Sequence, residues 1–356
     1  MGAILKWLLG IFLILVLLIG AAVVVLPMVV DPNDYKPQIV ETAKKQLGRD
    51  LTIEQDLNLS VFPWLGIETG GVSVGNAAGF SAQPFAQIEQ LDVKVKLMPL
   101  LSKRVEVDTL VLKGLNVNLE KDANGKTNWE DLASGADETA ASEEPSADAG
   151  ETPPIALSIQ GIQVEDARIA WDDRQAGKTY VLDGVRLVTG SLSPGEDVPV
   201  EAGVVFTSSQ PAVTLKADLS ATIGSDADMT AFRVAGLELL LDASGEGLPA
   251  GGAKLTVRGN LAADTKADTL RVDGLEIAGP AMSASGEVAA TGLQSNPSAK
   301  GRLKIDETNP KTLASMFATS IETTDPKALT RVAGDVAFSY SDGALKLEPL
   351  PVTLDD

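Results

Sequence analysis

The sequence predicts a mainly β protein, built from antiparallel strands behind an N-terminal membrane helix. Three patterns carry that prediction. Beyond Leu51, apolar and polar residues alternate over stretch after stretch, which is how a strand with one dry face reads. Turn residues punctuate these stretches at roughly 10-residue spacing, the mark of an antiparallel architecture. Residues 7–26, WLLGIFLILVLLIGAAVVVL, carry no charge.

That apolar run comes first in the chain. It is about the 20 residues needed to cross a bilayer as a helix, and Pro27 and Asp31 mark its exit. It is too long for the core of a signal peptide, so it reads as an uncleaved anchor, with a cleaved signal peptide as the competing reading. Only Lys6 precedes it, whereas Lys36, Lys44, Lys45 and Arg49 follow. Taken alone, this count would place the N-terminus outside. Long domains, however, cross largely regardless of charge, and Asp31 and Asp34 sit at the exit. The N-terminus is therefore placed in the cytoplasm, with the bulk of the chain beyond the membrane.

Residues 31–50, DPNDYKPQIVETAKKQLGRD, read as one short helix, capped by Asn33 or Asp34 at its start and Gly48 at its end. Tyr35, Ile39, Ala43 and Leu47 recur every four residues and share one stripe. Such a helix either caps a sheet edge or rests on lipid. The narrow, weakly apolar stripe favours the edge.

From Leu51 the period becomes two. Leu51, Ile53, Leu57, Leu59 and Val61 alternate with polar residues. SVFPWLGIETGGV then reads as a corner: Pro63 cannot donate to a ladder and stops pairing, Gly66 turns the chain, and Ile67, Val72 and Val74 form the return strand past Gly70 and Gly71. Phe62, Trp64 and Leu65 at this tip are candidates for the membrane interface, where Trp is favoured. Alternation returns at Leu91–Leu97 and Leu115–Leu119, and Asn124-Gly125 signals a hairpin turn.

Residues 133–154 are small, acidic and end in proline, and have no large apolar residue to offset ordering entropy. They read as a disordered linker. Alternation then resumes from Ile155, with its longest run at Val213, Leu215, Ala217, Leu219, Ala221 and Ile223. Only 309–318, NPKTLASMFA, reads as helix, with Asn309 as cap and Pro310 first. An irregular echo, strand-Gly-[Leu/Ile]-x-x-strand, occurs near 111, 158 and 272. The organisation expected is an anchor (1–30), a helix-plus-β module (31–132), the linker (133–154) and a second β module (155–356). The last stretch, GALKLEPLPVTLDD, ends on strand material, so the sequence is expected to be the N-terminal part of a longer chain.

Composition removes several chemistries. The 356 residues carry a formal net charge of −20 and contain no histidine or cysteine. Phosphate binding needs clustered Lys and Arg, so no nucleic-acid partner is expected. A histidine triad, a thiol nucleophile and the usual zinc site are all excluded, so no metal or cofactor is expected. Asp172 and Asp173 are the leading pair for carboxylate catalysis, but adjacent strand residues point to opposite faces. No enzymatic activity is expected. Trp64, Trp129 and Trp171 read as packing anchors.

The anchor, DPNDYKPQIVETAKKQLGRDLTI, LSVFPWLGIETGGVSVGNAAGF and PFAQIEQLDVKVKLMPLLSKRVEVDTLVLKGLNVNLEKDANGKTNWEDL, in this order and spacing, resemble the AsmA family of Gram-negative inner-membrane proteins. NPKTLASMFA and the block from Thr324 to Asp356 resemble it again. The resemblance implies a single-pass inner-membrane protein with its body in the periplasm. It also implies a role in outer-membrane biogenesis, touching lipid balance and the targeting of outer-membrane proteins. The family is similar to TamB-like and chorein-type bridge lipid transfer proteins, which implies an elongated, curved antiparallel sheet forming a groove for acyl chains.

Periodicity alone leaves two readings open, since an apolar sheet face is either a closed core or an open trough. Under the trough reading, Val204, Phe206, Leu215, Leu219 and Leu239 line a groove whose partner is phospholipid, because each methylene leaving water is worth roughly 0.8 kcal/mol. The alternative is a periplasmic scaffold that binds outer-membrane assembly proteins through a strand edge.

Overall fold

The computed structural model describes residues 31–60, 64–96, 99, 105–132, 157–193, 195–248, 252–280, 282–316, 319–348 and 352–355. The expected membrane span at 7–26 and the expected linker at 133–154 lie outside them. Among the described residues no helix is long and apolar enough to cross a membrane. Among the described residues the chain is mainly β, with eighteen strands and few helices, and the strands pair antiparallel. It divides into two units, residues 1–119 with 126–160, and residues 120–125 with 161–356.

In the first unit a 3-10 turn at Pro32–Tyr35 leads into helix α1, Lys36–Leu47. The start cap is neither Asn33 nor Asp34. Tyr35, at the start of α1, makes no side-chain cap bond, and Asp31 caps the 3-10 turn, its carboxylate accepting from the Asn33 amide at 2.9 Å. That choice frees Asn33 to bind the next segment: its side-chain oxygen accepts from the Leu57 amide at 2.8 Å. Gly48 closes the helix in the left-handed region, as the sequence predicts.

The strand expected from Leu51 to Val61 is broken. It forms β1, Leu51–Ile53, and β2, Asn58–Ser60, with Leu57 buried between them. Both pair with one long strand, β3, Trp64–Val74. Gly66 therefore lies inside β3, paired to Ser60 on one side and Lys94 on the other, and does not turn the chain. Gly70 and Gly71 mark the point where the partner of β3 changes, their carbonyls accepting from Gln55 and Glu54 between β2 and β1. On its other edge β3 pairs with β4, Ala86–Lys96, which is followed by β5, Val105–Lys113, and β6, Asn116–Lys121. The turn at Asp122–Gly125 forms as expected, but among the described residues up to 132 no strand element returns from it. A short helical turn at 130–132 follows instead.

A buried polar latch holds this unit together. The Arg49 side chain is 2% exposed. It donates to both oxygens of Asp131, at 3.0 and 2.6 Å, and also to the Asn128 carbonyl. Its guanidinium lies 4.6 Å above the Phe85 ring. Asn128, fully buried, donates to Asn76 and to the Asn118 carbonyl. Hydrogen bonding from Arg49 holds the Asp131 carboxyl below its ordinary range.

The second unit is a meander. Strands β7 (Leu157–Asp173), β8 (Lys178–Thr189), β9 (Asp197–Ser209), β10 (Ala212–Ser225), β11 (Ala231–Gly245), β12 (Ala253–Asp264), β13 (Thr269–Gly279), β14 (Met282–Thr291), β15 (Ser298–Thr308) and β16 (Val332–Ser341) each pair with the next. β17 (Ala344–Glu348) and β18 (Val352–Leu354) share one edge of β16. Helix α2, Pro310–Met316, is capped by Asn309 as predicted, the Thr312 amide donating to its side chain at 3.0 Å.

Strand β8 has no clean alternation, and its register shows why. Gly184, Gly236 and Gly274 adopt φ of 56, 60 and 59°, inside β8, β11 and β13 where the pairing slips. These are β-bulges, for which glycine tolerates the left-handed backbone. Each inserts a residue, so Leu182 and Val185, Val234 and Leu237, and Val272 and Leu275 share a face although they are three apart. The echo at 272 is such a bulge. The one at 158 is not: its strand slips at Asp166, φ 53°.

Candidate functional site

The register sorts the second unit into two chemically opposite faces. On one face, charges meet across strands. Glu238 and Arg258 are directly opposite, with Nε 2.9 Å from the carboxylate, and Asp242 and Lys254 are 3.1 Å apart. Arg233 reaches Asp197, at 2.5 Å, across the intervening Gly224. A Cβ on Gly224 would lie 2.2 Å from the Asp197 carboxylate and 2.6 Å from Arg233 Nε, so only glycine lets this pair close. Gly203 likewise separates Arg186 from Asp218.

The other face is apolar. One row runs from Val164 through Leu187, Ala202, Leu219, Leu239 and Val257 to Ile277, Ala284 and Ile305, each residue paired with the next. Nine strands at about 4.8 Å spacing make this row about 38 Å long. All five groove candidates lie on this face: Leu215 faces Phe206, Leu219 faces Leu239, and Val204 faces Ala217. None is buried and none is fully exposed.

Depth of burial is the informative quantity. Among the described residues the buried apolar set is Leu57, Ala167, Ala221 and Ala290. Within the second unit it therefore consists of three alanines. The larger side chains of the apolar face are left partly wet, and Ile223 is 41% exposed. A core sealed between layers would bury many of them completely.

At one end of this face Trp171, Tyr180 and Phe206 form an aromatic ladder, with centroids 5.3 and 6.3 Å apart. Trp171 is 37% exposed, so it is not the packing anchor that its size suggests. At the other end a cavity of about 290 Å³ opens between the loops before β9 and after β10, lined by Leu192, Val198, Ile223, Met229 and Phe232, with Glu196 also lining it. Composition could not have found it, because Leu192 and Met229 lie in loops outside any alternating run. Asp226 fastens the loop that carries Met229. Its carboxylate accepts from the Thr230 hydroxyl and from the amides of Thr230 and Ala231, at 2.6, 2.6 and 3.0 Å. Those bonds, the hydroxyl first, lower its pKa to about 2.

Of the interface candidates, Phe62 lies outside the described residues. Trp64 and Leu65 sit on opposite faces of β3. Trp64 shares its face with Lys96, whose amine lies 5.3 Å from the indole centroid, while Leu65 pairs with Val95 and is 38% exposed. Asp172 and Asp173 end β7 and diverge: Asp172 accepts from Arg174, and Asp173, 8% exposed, accepts from the Ala176 amide. The stripe on α1 is open, with Tyr35 52% and Ile39 42% exposed and no residue of the helix buried, so it does not cap a sheet edge as expected.

The AsmA family signature matches residues 1–309. Protein AsmA of Escherichia coli (strain K12) is 30% identical over 107 residues, which is 30% of this chain and 17% of that protein. No solved structure matches.

Proposed function

The chain belongs to the AsmA family, and on that premise we propose that its second unit binds phospholipid along the apolar face and carries it between membranes, without catalysis. Membership itself points to a role connected with the membrane, in outer-membrane biogenesis or lipid handling. The observation that carries the finer reading is the incomplete burial of the apolar face. Its larger side chains stay half-wet although the apolar row runs unbroken across nine strands. Acyl chains are the natural cover for such a face, since each methylene gains roughly 0.8 kcal/mol on leaving water. Headgroups would remain in solvent at the strand ends. In this reading residues 7–26 anchor the chain in the inner membrane and the β units lie in the periplasm.

The test is a photo-crosslinking residue at Leu219 or Leu239 in cells. Phospholipid adducts are expected. Their absence there and at Phe206 and Leu215 would overturn the proposal. One observation favours a scaffold as a second reading. All five residues of β17 are exposed, and among the recorded pairings it bonds to β16 alone, an edge that an added strand can extend. Co-purification of an outer-membrane assembly protein, with no lipid seen by mass spectrometry, would favour that reading.

A further inference from the structure

The cavity at the end of the apolar face differs from the face itself. Its walls come from two loops as well as from strands. Val198 and Ile223 are cross-strand partners on β9 and β10, and Phe232 opens β11 opposite Ser225. Met229, 54% exposed with φ 56°, stands over it from the loop that Asp226 fastens. The niche holds about 290 Å³, room for part of one chain and not for a folded protein segment.

Its mouth has a definite charge. Glu196 lines the cavity and is exposed, and among the described residues no cation pairs with it. Asp226 is fully committed to its loop and remains ionised. The Asp197–Arg233 pair lies on the charged face, across the sheet from the niche, and Asp228, in the same loop as Met229, is matched by Lys266 at 3.9 Å. Among the residues that line the niche Glu196 is the one that carries charge, so the mouth is negative. An apolar niche under a negative rim selects for a tail whose head carries positive charge, and disfavours an anionic head at the same place.

We propose that this niche seats one apolar chain of an amphiphile whose headgroup bears an amine, with Glu196 facing the ammonium. The proposal rests on the lipid-binding reading above and adds to it a fixed end-site with headgroup preference.

The experiment offers the full-length chain in detergent an equimolar mixture of lysophosphatidylethanolamine and lysophosphatidylglycerol, and reads bound species by native mass spectrometry. The ethanolamine lipid should bind roughly two- to fivefold better, the scale of one exposed charge contact. Glu196→Gln should bring the ratio close to one. Ile223→Trp, which fills the niche, should remove this adduct while phospholipid crosslinks at Leu239 persist. Glu196 lies in an exposed turn, so the headgroup arm remains decisive even if the bulky variant folds poorly. Equal binding of the two lipids, unchanged by Glu196→Gln, would overturn the niche while Leu239 crosslinks still upheld the lipid-binding face. Absence of lysolipid and of crosslinks alike would overturn both.

Discussion

Truncating Leu219 and Leu239 separates an open trough from a sealed core. The two residues lie directly opposite each other on β10 and β11, and both are half-buried. Fully burying a leucine is worth about 1.5–3 kcal/mol. A half-wet side chain secures about half of that, and its removal leaves a space that water already reaches, so no cavity penalty is added. Leu219→Ala or Leu239→Ala should therefore cost about 1 kcal/mol. In a sealed core the same change costs about 2–5 kcal/mol. For a unit of about 200 residues, 1 kcal/mol moves Tm by about 2–4 °C. Thermal melts of the full chain in detergent, followed by circular dichroism, should show a drop of that size, with phospholipid crosslinking at neighbouring positions reduced much more. A drop beyond about 8 °C from either single change would mean the face is dry, and would refute the trough.

Other outcomes follow from the polar contacts. Asp131→Ala should destabilise more than Arg49→Met, by roughly 3 against 1–2 kcal/mol in chemical denaturation, because the first strands a buried guanidinium and the second leaves a carboxylate that water can reach. The Asp131 carboxyl is held below its ordinary range, so its contribution is present above about pH 4 and lost as pH falls through the lowered value. Arg49→Met should flatten that acid limb in a denaturation series. Asp226 behaves alike over a defined window: protection of the Thr230 and Ala231 amides in hydrogen exchange should fall between about pH 4 and about 2, and Asp226→Asn should abolish the dependence. Gly224→Ala should cost about 1 kcal/mol by forcing Arg233 from Asp197, and a further Arg233→Ala should add little.

Much of the β architecture was legible because alternation is a direct image of a two-faced strand. The runs at Val198–Phe206, Val213–Ile223 and Leu237–Leu241 fall in β9, β10 and β11 with their apolar residues on one face. What escaped has a common physical origin. A bulge shifts the phase by one residue, so β8 loses its alternation at Gly184 and went unread. Glycines that clear space for an ion pair, such as Gly224, look like turns in sequence. Gly66 looks like a turn for the same reason, because a strand glycine and a turn glycine carry the same letter. The cavity was invisible because Leu192 and Phe232 are about 40 residues apart and meet only through the hairpins between them. Whether the apolar face is open could not be read from periodicity at all, since depth of burial is set by what covers a strand and not by the strand's own pattern.

The meander has a consequence for how the protein is made. From β8 to β16 each strand bonds to the one before it and the one after it. The partner that a new strand needs has therefore always emerged from the ribosome already. Ordering can proceed from the N-terminal side, one hairpin at a time, with short loop closures and no wait for distant sequence. A chain threaded across a membrane in that direction could fold as it emerges. The same logic makes length a free variable: inserting a hairpin would extend the apolar row by about 10 Å while leaving every other pairing intact.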